Sequence, residues 1–208
     1  MLHLETVEPR AFSILNQLMK IPELKNFSLV GGTALSLLYG HRISVDLDLF
    51  SNKSFENDKI ISTLRNKYHE KFIMEEKPPH FGIFCFLDDV KVDLVKHPHS
   101  LIRPEVIYNG LRMFSIEDII AMKVQAILGR GKKKDFWDIA ELLNHFTVRD
   151  FIKFHSEKYS TQNLLITVPQ AITYFADAEE SEDPISLKNQ TWESVQEFIK
   201  GKVREYLK

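Results

Sequence analysis

Two adjacent glycines and a spaced pair of aspartates constrain this chain more than any other feature in it. The run Leu29-Val-Gly-Gly-Thr-Ala-Leu35 leads, about fifteen positions later, into Arg42-Ile-Ser-Val-Asp-Leu-Asp-Leu-Phe50. Side chains alternate along a strand, so Asp46 and Asp48 project from one face and Val45, Leu47 and Leu49 from the other. Two carboxylates about 7 Å apart on one face repel each other unless a cation lies between them, and a hard divalent ion suits their oxygens. Upstream, residues 26–30 read as a short strand ending at Gly31-Gly32. Residues 33–39 read as a short buried helix closed by Gly40. Free backbone N–H groups at the start of such a helix can cradle a phosphate. Carboxylates for a metal opposite a phosphate cradle point to chemistry on a nucleoside triphosphate.

The rest of the chain supplies further elements. Residues 9–19 carry apolar positions at helical spacing. Ser54 or Asn57 is placed to cap a helix running to about Tyr68. Residues 81–87 and 90–96 read as a hairpin joined by Asp88-Asp89, with Lys91, Asp93 and Val95 on one face of its second strand. After His97-Pro98-His99 the pattern becomes mostly helical. Ser115 and Asp118 suit a helix start before residues 116–128. A basic break, Gly129 to Lys134, precedes a helix over 135–146. Further helices are expected near 148–158, 162–176 and 190–207. The expected class is α+β: a mixed-sheet lobe over 1–99 with flanking helices, then an all-helical lobe over 100–208 that completes a cleft.

Bulk properties narrow the classes. A formal net charge of −2 argues against a strongly basic nucleic-acid coat, though not against local basic patches. Cys85 is the single cysteine, so no intramolecular disulfide forms. The start of the chain lacks a basic segment followed by an apolar one, and no apolar run is long enough to span a bilayer. A cytoplasmic protein without membrane contact is expected.

The two glycines, the Arg-x-Ser-x-Asp-x-Asp run and the later Lys-Lys-Asp-Phe-Trp-Asp segment together resemble the AbiEii/AbiGii-type nucleotidyltransferases, a minimal branch of the polymerase-beta-like nucleotidyltransferase superfamily. The resemblance spans residues 26–146. It implies that Asp46 and Asp48 bind Mg²⁺ or Mn²⁺, with Asp93 as a third carboxylate on a neighbouring strand. It implies that Gly31, Gly32 and Thr33 hold the triphosphate; the superfamily usually has Gly-Ser where this chain has Gly-Gly-Thr. Arg42 and Ser44 precede the carboxylates on the same alternating face, Arg42 to meet phosphate or to hold a carboxylate in place. Lys123, inside an otherwise apolar helix, and Asp135 are implied as catalytic positions given by the second lobe. Asp138 shares a helix face with Asp135, nearer to a supporting place, and Arg130 is placed to meet the triphosphate. The implied activity is transfer of a nucleotide from an NTP to an acceptor. The acceptor is tRNA in some relatives, and many relatives are the toxic half of a bacterial pair with an antitoxin protein.

Plainer readings stand beside these. Lys123 can snorkel from an apolar face, Asp135 can serve only its helix start, and Lys132 to Lys134 can be solvated surface. Asp88 and Asp89 are turn residues, His97 and His99 suit a loop, and Cys85 suits the core. A regulatory nucleotide binder without turnover and a protein-modifying nucleotidyltransferase are the competing functions. A phosphohydrolase built on Asp-x-Asp fits less well, because Leu49-Phe50 follows the pair where Thr or Gly is expected.

Overall fold

A computed structural model describes residues 1–74 and 77–208. The short strand β1 (Ser28–Leu29) runs straight into helix α2 (Gly31–Tyr39), which follows α1 (Pro9–Leu18). Strand β2 (Leu47–Ser51) and helix α3 (Asn57–Tyr68) come next. They lead to β3 (Phe72–Ile73), β4 (Gly82–Leu87) and β5 (Val90–Lys96), then β6 (Val106–Tyr108) and β7 (Leu111–Met113). The remaining helices are α4 (Ile116–Gly129), α5 (Lys133–Leu142), α6 (Val148–Lys158), α7 (Val168–Ile172) and α8 (Trp192–Tyr206).

The seven strands form one mixed sheet in the order β3-β4-β5-β2-β1-β7-β6. The pairs β2–β5 and β1–β7 are parallel; the other neighbours are antiparallel. Alternation sorts the central strands into two faces. Leu47, Leu49, Ile83, Cys85, Val92 and Leu94 are buried in one continuous core with α1 and α3. Asp48, Asp93, Phe84 and Phe86 lie on the opposite face. Among the described residues no helix is long and apolar enough to cross a membrane.

Turn chemistry explains both hairpins. Asp88 and Asp89 have φ of 50° and 65°, the left-handed pair that a two-residue turn needs. Asn109 and Gly110, at 50° and 82°, do the same for β6–β7. This second hairpin corrects the expected change to helix at residue 100. Residues 106–113 extend the sheet, and the helices open at Ile116. The signal was Asn-Gly between Val-Ile-Tyr and Leu-Arg-Met, a strong short-range hairpin mark. The helix expected over 162–176 is also shorter, because Pro169 sits in its first turn and cannot lie in a helix interior. Its cap is Thr167, whose hydroxyl accepts from the Gln170 N–H.

The Ser115 cap accepts from the Asp118 N–H at 3.2 Å, as expected. The Asp118 carboxylate does more than cap. Fully buried, it accepts from the backbone of Ile102 and Arg103 and from Lys158 Nζ at 2.5 Å. It thus ties the stretch after β5 to α4 and α6.

Candidate active site

The turn between β1 and α2 shows why two glycines stand there. Gly31 has φ of +70°, and a Cβ on it would lie 2.6 Å from Asp48 Oδ2. A side chain at Gly31 would therefore displace the carboxylate as well as strain the backbone. At Gly32 a Cβ would lie 2.1 Å from Arg42 Nη2, so the guanidinium occupies that space. The helix starts at Gly31 itself, without a side-chain cap, so the N–H groups of its first turn have no side-chain acceptor.

Thr33 is spent locally. Its hydroxyl donates to the Asp46 carbonyl and lies 2.9 Å from the Ser44 hydroxyl. Both side chains are buried. Thr33 and Ser44 thus fix the segment leading to the carboxylates.

Arg42 is turned away from the sheet face. The chain at 42–46 forms only isolated bridges, Val7 to Ser44 and Arg42 to Ser186, and β2 begins at Leu47. Arg42 therefore does not project beside Asp48. It turns inward and forks onto Asp138, Nε to Oδ1 at 2.7 Å and Nη2 to Oδ2 at 2.9 Å. In this arrangement its guanidinium clamps a carboxylate.

Asp138 is the hub of this charge cluster. Besides Arg42 it takes His41 Nε2 at 2.7 Å and Lys123 Nζ at 2.6 Å. Burial alone raises its pKa, but the Arg42 and Lys123 charges and three hydrogen-bond donors hold it well below the ordinary range. Lys123 also bonds Asp135 Oδ1 at 2.9 Å. Burial lowers the Lys123 pKa, yet Asp135 and Asp138 together take it up to about 12, so it stays charged. Asp135 has two duties: Lys123, and the Lys132 N–H at the start of α5 at 3.2 Å. His41 was not singled out from the sequence, although it directly precedes Arg42 in the motif.

The carboxylate face is different in kind. Asp48 and Asp93 are register partners on adjacent parallel strands, so their Cα atoms lie about 4.8 Å apart. Burial, and then the Asp93 charge, pushes Asp48 above the ordinary carboxylate range, with Lys123 only partly opposing. Asp93 Oδ2 takes Lys91 Nζ at 3.0 Å, while its Oδ1 is buried without a hydrogen-bond partner. Asp46, outside the strand, pairs with Lys134 Nζ at 3.2 Å. Among the described residues no three of the His, Cys, Asp and Glu side chains converge into a ready ion cage. The donor set still fits Mg²⁺ or Mn²⁺. Such an ion is commonly held by one or two carboxylates plus water and substrate phosphates rather than by a cage made wholly of protein. The orphaned Asp93 oxygen beside an only partly compensated Asp48 is what that ion would satisfy.

A cleft of about 580 Å³ opens beside these groups. Gly31, Asp48, Lys123, Asp135 and the exposed Arg130 line one part of it. Phe50, His97, His99 and Tyr159 line another. Their rings form a chain, 6.0 Å from Phe50 to His97, 5.2 Å to His99 and 4.6 Å on to Tyr159. Burial and the nearby Lys158 charge take His97 down to about 4, so its ring is neutral at physiological pH. Both histidines lie in the loop after β5, as expected, and their rings build this wall. A larger groove, about 800 Å³, lies among α6, α7 and α8 and contains none of the carboxylates.

The family model for the nucleotidyl transferase AbiEii toxin of type IV toxin–antitoxin systems matches residues 13–203. The chain belongs to the AbiEii nucleotidyltransferase toxin family. An uncharacterised protein of Aquifex aeolicus is 32% identical over 200 residues, which is 93% of this chain and 94% of that protein. Two solved structures share the fold. A candidate nucleotidyltransferase of Helicobacter pylori aligns with a TM-score of 0.58 at 19% identity, covering 97% of this chain and 99% of that one. MenT4, a nucleotidyltransferase toxin of Mycobacterium tuberculosis, aligns at 0.56 and 11% identity, covering 93% and 85%. The chain is a nucleotidyltransferase with the α+β fold expected of it.

Proposed function

We propose that this AbiEii-family enzyme transfers a nucleoside monophosphate from an NTP to the end of an RNA acceptor, tRNA foremost, with Mg²⁺ or Mn²⁺. The observation that carries the reading is the pair Asp48 and Asp93, in register and only partly compensated, with Asp48 on a cleft that ends at a helix N-terminus. Asp48 and Asp93, with Asp46, would hold the metal, which would supply charge neutralisation on the triphosphate and Lewis acidity at its α-phosphoryl group.

The chain's own residues account for the rest. The N–H groups of the first turn of α2 receive phosphate oxygens. Lys123 and Arg130 face the negative charge that builds on the departing pyrophosphate. The ring wall of Phe50, His97, His99 and Tyr159 takes the nucleobase. The acceptor hydroxyl oxygen attacks the α-phosphorus in line, the bond to pyrophosphate breaks, and Asp93, through an oxygen not held by the metal, takes the hydroxyl proton. Arg42, Asp138, Thr33 and Ser44 position this set without touching substrate. In the cell, the reading supposes a cytoplasmic toxin restrained by an antitoxin protein.

The test is a labelling assay with each α-labelled NTP, Mg²⁺ or Mn²⁺ and total tRNA. Label should enter RNA with the wild type and fall to background with Asp48→Asn. Label in the protein itself would replace RNA by a protein acceptor. Nucleotide binding without any transfer would favour a regulatory binder instead.

A further inference from the structure

One part of the sheet's open face is left over once the nucleotide cleft is accounted for. In register, Asp48 lies beside Asp93, and Asp93 beside Phe84. One step along the strands, Lys91 lies beside Phe86, and Phe86 beside Ile73. Phe84 and Phe86 therefore continue the carboxylate row away from the cleft, and both are more than a third exposed. Phe81 meets Phe84 edge-on at 6.0 Å and is itself 55% exposed. A contiguous set of exposed rings is unusual on a folded surface and marks a contact site.

The recess over these rings measures about 330 Å³ and is lined by Lys77, Pro78, Phe84, Phe86, Lys91 and Asp93 among others. That is the small end of ligand sites. Two outward residues on one strand stand about 6.8 Å apart, twice the roughly 3.4 Å thickness of a stacked base. Both rings front one recess and each offers a surface on which a base can stack. Lysines at the rim suit a phosphate backbone. Both edges of β4 are already paired, by β3 and β5, so the contact is made by a face and not by an added strand.

We propose that this recess is the acceptor subsite and that it takes the terminal unpaired bases of a single-stranded RNA end. The bases stack on Phe84 and Phe86, and the terminal ribose hydroxyl is delivered to Asp93 from the side opposite the NTP. The inference rests on the nucleotide-transfer reading for the role of Asp93, but the stacking platform is testable without turnover.

The variant is Phe84→Thr/Phe86→Thr, which keeps strand propensity on an exposed face. A dye-labelled single-stranded oligoribonucleotide with a free terminal ribose is titrated with the full chain and followed by anisotropy. Binding should weaken roughly tenfold or more on losing the rings, while Mn²⁺–NTP affinity by calorimetry and the thermal midpoint stay at wild-type values. Equal RNA binding by the two proteins, or none by the wild type, overturns the proposal. So does labelling confined to protein side chains. Ring-dependent RNA binding with no nucleotide transfer keeps the platform and overturns the transfer reading instead.

Discussion

Two groups of charges sit within one enzyme, and they are treated in opposite ways. Around Asp138 every charge is answered: Arg42, Lys123 and His41 converge on it, and Lys123 has Asp135 as a second partner. On the sheet face Asp48 and Asp93 stand side by side, with one exposed lysine between solvent and Asp93 and one carboxylate oxygen unmatched. Every oxygen of the Asp138 hub is answered, so it works as a brace between the chain just after α2, α4 and α5. An unsaturated pair costs the folded protein free energy until something arrives to complete it. Folded proteins tolerate such a conflict at sites where the missing partner is a substrate or ion.

Substitutions at three aspartates or their partners would break or sharpen this contrast. The largest effect is expected at the brace. Asp138→Ala leaves Arg42 and Lys123 buried without their shared anion and should cost about 3–5 kcal/mol in chemical denaturation. Its pH dependence follows from the direction of the shift. Asp138 titrates below its ordinary value of 3.8 in the fold, so its contribution is present above that value and is lost as pH falls through the depressed one. The gap between wild type and variant should stay flat from about pH 7 to about pH 5 and narrow only in stronger acid. A loss under roughly 1 kcal/mol, the range of an exposed ion pair, would show that the cluster is not a brace.

Asp48→Asn should act with the opposite sign. Removing a buried charge crowded by Asp93 should leave stability unchanged or raise it by about 0.5–2 kcal/mol, the usual gain when a functional strain is relieved. Turnover should fall to background in the same protein. A marked loss of thermal midpoint would instead place Asp48 among the paired charges. The smallest effect is expected at Lys134→Ala. Its partner Asp46 is 30% exposed and Lys134 39%, and exposed pairs of this kind contribute about 0–1 kcal/mol. Stability should hold within that range, and calorimetry should show whether freeing Asp46 alters Mn²⁺ affinity.

Much of the site was legible because its chemistry is carried by local pattern. Gly31-Gly32 before an apolar helix, Asp48 on an alternating strand and Asp93 after a turn of two aspartates all rest on periods of two or on left-handed turns. Family membership followed from the same order of motifs. The direction of Arg42 was not legible. Alternation predicts a partner for Asp48 only if the strand already runs at residue 42, and here the chain joins the sheet at Leu47. Nor was the weight of Asp138, because His41, Arg42 and Lys123 reach it from helices and loops far away in sequence. The β6–β7 hairpin had a readable signal in Asn109-Gly110, masked by the short strands around it.

The sequence by itself determined the elements that carry the site, the covered and open faces of the central strands, and the residue types available for chemistry. These depend on neighbours two to four positions apart, where backbone geometry acts directly. The tertiary structure decided which charges are answered and which are left open. Coulombic pairing depends on distance and burial, and no local period encodes that His41, Arg42 and Lys123 meet at Asp138 while Asp48 and Asp93 are left facing each other.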